Sequence, residues 1–125
     1  MRKLTGGCLC GDVRFEVTGE PDRVGICHCM ACRKHHGAAF FAAAVFPAGA
    51  VRLQGDTASY QGRVFCPRCG GSVVSYSDDE VEVHLGALDE PNRFVPTYEL
   101  WTSRREAWLP DFPNTECYAR NRSDG

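Results

Sequence analysis

Val13, Phe15 and Val17 alternate with Arg14, Glu16 and Thr18. A period of two predicts a strand with one buried face, closed here by Gly19-Glu20-Pro21. Arg23 to Cys27 reads as a short second strand. Cys29 to His36 has room for one or two helical turns, stopped by Gly37. Ala38 to Phe46 is apolar throughout, the length of a strand buried on both faces, although its alanines also suit a helix. Pro47 ends it either way. Val51 to Gln54 and Ser59 to Phe65 are strands split at Gly55-Asp56. Ser72 to Tyr76 and Glu80 to Leu88 flank Ser77-Asp78-Asp79. In the second of these, Val81, Val83 and Leu85 face one way and Glu82 and His84 the other. That puts His84 on a polar face, as a solvated or hydrogen-bonded side chain. Tyr98 to Thr102 is a last strand, and Arg104 to Leu109 is partly helical. Phe40, Phe41, Trp101 and Trp108 belong in the core. The pattern is mainly β with short helical turns: one domain over 1–125, its core about 6–110. Residues 111–125 form a loose polar tail apart from Cys117 and Tyr118.

Composition narrows the class. Of 125 residues, 43% are hydrophobic and 24% charged, which is globular usage. A net charge of −2 leaves no basic excess to displace counterions, so a nucleic-acid partner is not expected. Arg33-Lys34 and Arg104-Arg105 are local candidates for anion contacts. The longest apolar run, Ala38 to Phe46, is too short to cross a bilayer, so no membrane partner is expected either. Met1-Arg2-Lys3 is basic, but Thr5-Gly6-Gly7 follows where a signal peptide needs an apolar run. The expected location is cytoplasmic. Thiols stay reduced there, and eight cysteines point to metal before disulfides.

Seven of those eight cysteines stand in clusters at ligand spacing. Residues i and i+2 of a strand share a face, so Cys8 and Cys10 can reach one ion from a single edge. Cys66-Pro67-Arg68-Cys69-Gly70-Gly71 is a zinc-knuckle turn, whose two sulfurs aim at one point. Together Cys8, Cys10, Cys66 and Cys69 make a closed, structural Zn²⁺ site, and binding there contributes directly to folding.

The central stretch, Cys27-His28-Cys29-Met30-Ala31-Cys32, is different. Cys27, Cys29 and Cys32 combine both spacings, so all three can reach one ion. Three protein ligands with an open fourth position is the pattern of catalytic zinc. Three thiolates acidify a bound water only weakly; a substrate thiol, held as a nucleophilic thiolate, fits better. Other readings stand beside this one. A fourth ligand from His28, His35, His36 or Cys117 closes the site. Cys29 and Cys32 serve as a redox dithiol. Or the thiols simply pack.

The residues also resemble a known family. Gly6-Gly7-Cys8-Leu9-Cys10-Gly11-Asp12-Val13-Arg14 resembles its opening signature, Cys27 to Lys34 its central one, and Phe65-Cys66-Pro67-Arg68-Cys69-Gly70 its third. Leu88-Asp89-Glu90-Pro91, Glu99-Leu100-Trp101 and Trp108-Leu109-Pro110 are similar to its C-terminal part. It is the glutathione-dependent formaldehyde-activating enzyme (GFA) family, and the likeness runs from about Gly6 to Pro110. The resemblance implies a β-tent fold and two zinc sites: Cys8, Cys10, Cys66 and Cys69 structural, and Cys27, Cys29 and Cys32 catalytic; with its fourth position open, the second is expected to be labile or partly occupied. It implies a carbon–sulfur lyase that joins a small thiol, glutathione or similar, to formaldehyde or a related aldehyde. The alternative is a zinc-stabilised binding module without catalysis.

Overall fold

A computed structural model describes residues 3–122. Met1-Arg2 of the basic start and residues 123–125 of the expected tail lie outside the described residues. In chain order the elements are β1 (Lys3–Gly7), β2 (Arg14–Thr18), β3 (Arg23–Cys27), helix α1 (Met30–His36), β4 (Phe41–Pro47) and β5 (Val51–Gln54). There follow β6 (Ala58–Tyr60), β7 (Arg63–Phe65), β8 (Ser72–Ser77), β9 (Glu80–His84), β10 (Tyr98–Leu100) and β11 (Glu116–Cys117). The fold is mainly β, as the alternation predicts. A small sheet runs β1-β2-β5. A large one runs β11-β10-β3-β4-β9-β8-β7-β6.

The core lies where the two sheets meet. Leu4, Val13, Phe15, Val17 and Val51 from the small-sheet side pack with Ala44, Phe46, Val73, Val74, Val81 and Val83 from the large sheet. Fully burying a valine or phenylalanine contributes about 1.5–3 kcal/mol, so this apolar seam holds the sheets together. β4 sits between β3 and β9. Ala43, Ala44, Val45 and Phe46 are all buried, which explains the unbroken apolar run and excludes the helical option.

Several boundaries differ from the sequence pattern. β1 carries Gly6-Gly7 and gives no strand signal, yet it pairs antiparallel with β2, Leu4 facing Val17 and Gly6 facing Phe15. A side chain at Gly6 would run into the Phe15 ring and the Ala87 carbonyl, so the glycine allows close approach. A bridge from Gly6 to Leu88 then links the sheets. Ser59 to Phe65 is two strands, because Gln61 and Gly62 both take positive φ (50° and 82°), the turn that reverses a hairpin. The β9 segment ends at His84, where Leu85–Ala87 tightens into a 3₁₀ turn. Arg104 to Leu109 contributes only the end of a 3₁₀ turn (Thr102–Arg104) and a turn closed by Leu109 N–H on the Glu106 carbonyl.

The chain beyond Pro110, expected to be loose, is paired as far as it is described. β11 lies parallel to β10, with Glu116 opposite Tyr98 and Cys117 opposite Glu99. Trp101 N–H donates to the Arg120 carbonyl and Thr102 N–H to that of Tyr118. Backbone pairing holds this stretch, and a polar pattern carries no trace of that. Of the aromatic residues expected in the core, Phe41 is buried, Phe40 and Trp101 are half-buried, and Trp108 is 68% exposed. Trp108 follows Arg105, whose guanidinium binds the carbonyls of Leu109 and Pro110 and leaves that loop on the surface.

Candidate metal centres

The turn after β1 carries Cys8 and Cys10, and the turn between β7 and β8 carries Cys66 and Cys69. Their four sulfurs lie within 4.8 Å of one another. Cys10 Sγ is 3.7 Å from both Cys8 Sγ and Cys66 Sγ. Four sulfurs set tetrahedrally at about 2.3 Å from one centre stand about 3.8 Å apart, so the group fits zinc. Backbone donors surround it: Val13 N–H reaches Cys8 Sγ at 3.2 Å, Arg68 N–H reaches Cys66 at 3.3 Å and Gly71 N–H reaches Cys69 at 3.4 Å. Such bonds favour the thiolate. Backbone donors from Cys10 and Gly71 draw the Cys69 thiol down to about 6. Cys8 and Cys10 sit in a turn and not along a strand edge, yet the turn brings both to the same point.

Cys27, Cys29 and Cys32 form the second group, again within 4.8 Å. Each comes from a different local device. Cys27 is the last residue of β3. Cys29 caps α1, its sulfur accepting from Cys32 N–H at 3.3 Å. Cys32 lies in the first turn of that helix, which ends at Gly37 in the left-handed conformation. A hydrogen bond from Cys32 draws the Cys27 thiol down to about 6, and the same bond pushes Cys32 up. The shared hydrogen bond thus favours the thiolate at Cys27 and the thiol at Cys32. A soft cation suits such a donor set, because it replaces the shared protons.

None of the four candidate closing ligands joins this group. His28 is fully buried, and its Nε2 meets Glu99 Oε1 at 2.9 Å. Glu99, 2% exposed, also accepts from Thr115 Oγ1 at 2.6 Å and from Cys117 Sγ at 3.5 Å. Arg105 Nε stands 3.5 Å from the same carboxylate. So Cys117 and the Nε2 of His28 are engaged by Glu99, while His28 Nδ1 is buried with no hydrogen-bond partner among the described residues and lies outside the trio. His35 Nε2 bonds Ser72 Oγ, and His36 stacks on Phe41 with ring centroids 4.4 Å apart. Arg33, a candidate anion contact, pairs with the chain's own Glu106.

A cavity of about 250 Å³ adjoins the trio, lined by Cys32, His36, Phe41, Arg63, Ser75 and Glu82 among others. Burial, then His35 and Arg63, hold His36 down at about 4, so it stays neutral near pH 7. Burial raises the Glu82 carboxyl. Sequence reasoning passed over Arg63, Ser75 and Glu82. A signal existed for two of them: Ser75 and Glu82 break the valine pattern of β8 and β9, and they stand opposite each other in the sheet. His84, expected on a polar face, is 4% exposed, because the rings of His36 from α1 and Phe41 from β4 pack against it. Its ring nitrogens meet Ser72 Oγ at 3.0 Å and Ser75 Oγ at 2.8 Å.

No curated protein matches this chain. Among solved structures it is similar to the crystal structure of a Rhodobacter sphaeroides protein, a structural-genomics target, with a TM-score of 0.60 and 25% identity. That likeness covers 72% of this chain and 92% of the other. A family model described as "Glutathione-dependent formaldehyde-activating enzyme" matches residues 3–104, a span that includes both cysteine groups and the cavity, and the chain belongs to that family.

Proposed function

We propose that the protein is a zinc-dependent carbon–sulfur lyase that joins a small thiol, glutathione or a similar one, to formaldehyde or a related aldehyde. Cys27, Cys29 and Cys32 would hold the reactive metal, and Cys8, Cys10, Cys66 and Cys69 a structural one. The supporting observation is the trio itself: three convergent thiols, no fourth His, Cys, Asp or Glu ligand beside them among the described residues, and a small cavity lined by one of the three. Zinc on such a set supplies Lewis acidity that keeps an incoming thiol ionised at neutral pH.

The chain's own residues do the rest. Phe41 and the stacked His36 wall the cavity and limit water. Arg63 offers a cation for a carboxylate on the thiol substrate. No helix among the described residues is long and apolar enough to cross a membrane, and all eight cysteines are unpaired.

The test is adduct formation between glutathione and formaldehyde, followed by exchange-resolved NMR at equilibrium. Zinc-loaded protein is expected to raise the exchange rate well above the uncatalysed one. An unchanged rate with two zinc per chain bound would overturn the activity.

A further inference from the structure

A second chain of polar side chains runs away from the cavity. Ser75 lines it. Ser75 Oγ lies 2.8 Å from His84 Nε2, and His84 Nδ1 lies 3.0 Å from Ser72 Oγ. Ser72 Oγ lies 2.9 Å from His35 Nε2. His35 in turn lines a neighbouring surface groove with Lys34 and Tyr60, which shares Gln61 and Arg63 with the cavity. Four side chains from α1, β8 and β9 thus make an unbroken line of hydrogen bonds from the cavity beside Cys32 to the outer surface. A buried imidazole needs both nitrogens satisfied, and two serines do that. Satisfaction alone does not require one end of the line to face the cavity and the other the neighbouring groove.

We propose that Ser75, His84, Ser72 and His35 form a proton relay serving the cavity, with Ser75 as the catalytic end and the other three as relay residues. The proposal rests on the reading of the site as joining a thiol to an aldehyde. That reaction needs proton movement in both directions. The thiol S–H loses its proton on binding. Ser75 Oγ takes it and passes its own to His84 Nε2. His84 Nδ1–H goes to Ser72 Oγ, Ser72 passes its proton to His35 Nε2, and His35 Nδ1–H goes to water. The thiolate then attacks the aldehyde carbon. The C–S bond forms, the C=O π pair moves to oxygen, and the alkoxide takes a proton from Ser75. Each hop reverses, and His35 Nδ1 regains a proton from water. Every hydroxyl and imidazole is back in its first state after one turnover, with one proton out and one in.

Neutral imidazoles suit this exchange, because each hop swaps tautomers and leaves no charge in the core. Burial first, then His36 and His35, hold His84 at about 3. Burial, then Arg63, lower His35. Both rings are therefore neutral at pH 7. His36 stands against His84 edge-on, centroids 4.7 Å apart, and Phe41 at 4.8 Å, while both ring nitrogens bond serine hydroxyls, which donate or accept as the hop requires.

The test compares wild type, Ser75→Ala, Ser75→Thr and His84→Gln in the zinc-loaded full chain, with glutathione and formaldehyde as substrates. Ser75→Ala cuts the inner end of the line and leaves His84 Nε2 without its partner, and it is expected to lower kcat roughly 100-fold or more with KM little changed. Imidazole buffer, a diffusible proton carrier, should restore at least about tenfold of that, and Ser75→Thr should restore most of it without buffer. Wild type should show no dependence on buffer concentration. Wild-type kcat in Ser75→Ala, or a loss that neither threonine nor imidazole repairs, overturns the relay. The second measurement needs no activity: ¹⁵N NMR of the His84 ring in wild type. A neutral ring that carries its proton on Nδ1 at rest supports the relay, and a charged ring at pH 7 or one protonated on Nε2 overturns it. If wild type fails to accelerate the adduct at all, the lyase reading falls, and the tautomer measurement still decides whether the line is set to carry a proton outward.

Discussion

The two cysteine groups are alike in composition and unlike in setting. Cys8, Cys10, Cys66 and Cys69 come from two turns more than fifty residues apart, so an ion among them cross-links the small sheet's first strand to the large sheet. Backbone donors point at all four sulfurs, with Asp12 serving Cys10. Cys27, Cys29 and Cys32 come from six consecutive residues that β3 and α1 already place. Two backbone donors are directed at that group, the helix cap on Cys29 and the Cys29 N–H on Cys27. An ion there ties nothing distant together. The difference teaches that the number of sulfurs matters less than what they join: one group closes a long loop, and the other presents a surface to a cavity.

Cys69→Ser should produce the largest effect on folding. Apparent binding energies for structural zinc are about 10–16 kcal/mol, comparable to the whole stability of a domain. We expect no cooperative melting transition by circular dichroism and about one zinc or fewer per chain. A native-like melt would erase the distinction between the two groups.

Cys29→Ser should do the reverse. Serine is a good helix cap, so α1 keeps its first turn. The melting temperature should stay within about 5 °C of wild type, a stability change near 1 kcal/mol. Adduct formation should fall roughly 100-fold or more, as expected when a ligand of the reactive metal is lost. Unfolding comparable to Cys69→Ser would move the trio to the structural class and favour a non-catalytic binding module.

Glu99→Gln bears on the frame behind the trio. The carboxylate holds His28, which sits between Cys27 and Cys29, together with Thr115, Cys117 and Arg105. Breaking a buried charged pair costs about 3 kcal/mol or more, and glutamine recovers part of it, so we expect about 2–3 kcal/mol by urea denaturation. Zinc affinity should weaken at the trio and hold at the four-cysteine group. Equal weakening at both would mean that the two groups are coupled through the core.

The smallest expected effect is a pH slope. His84 has its folded pKa held near 3, below an ordinary value of 6.5. Below pH 6.5 the unfolded chain therefore takes up a proton that the folded chain refuses. Stability contributed by this group is complete above pH 6.5 and is lost as pH falls from there toward 3. One proton corresponds to at most about 1.4 kcal/mol per pH unit. The slope between pH 6.5 and 5 should be shallower in His84→Gln than in wild type, measured by urea midpoints. Identical slopes would refute a neutral buried His84.

Where short-range spacing carried the information, the residues spoke for themselves. C-x-C and C-x-x-C separations set how sulfurs can converge, because a turn of that length has few shapes. Alternation in β2 and the apolar run of β4 likewise reflect burial of one face or two. That is how both cysteine groups, the mainly β fold and the helix between Cys29 and Gly37 were legible. β1 was hidden because its signal is a glycine opposite a ring, and a missing side chain leaves no pattern.

What the sequence determined by itself was therefore local: which sulfurs can share an ion, and which faces are apolar. Tertiary structure alone decided the rest. Glu99 meets His28 across 71 positions, and His35 meets Ser72 across 37. Nothing in the identity of those residues announces the partner, because a buried carboxylate or imidazole is satisfied by whatever the fold brings within about 3 Å. Strand pairing between β10 and β11 ordered a polar stretch for the same reason. Backbone donors and acceptors are the same at every residue but proline, so only the path of the chain tells which of them meet.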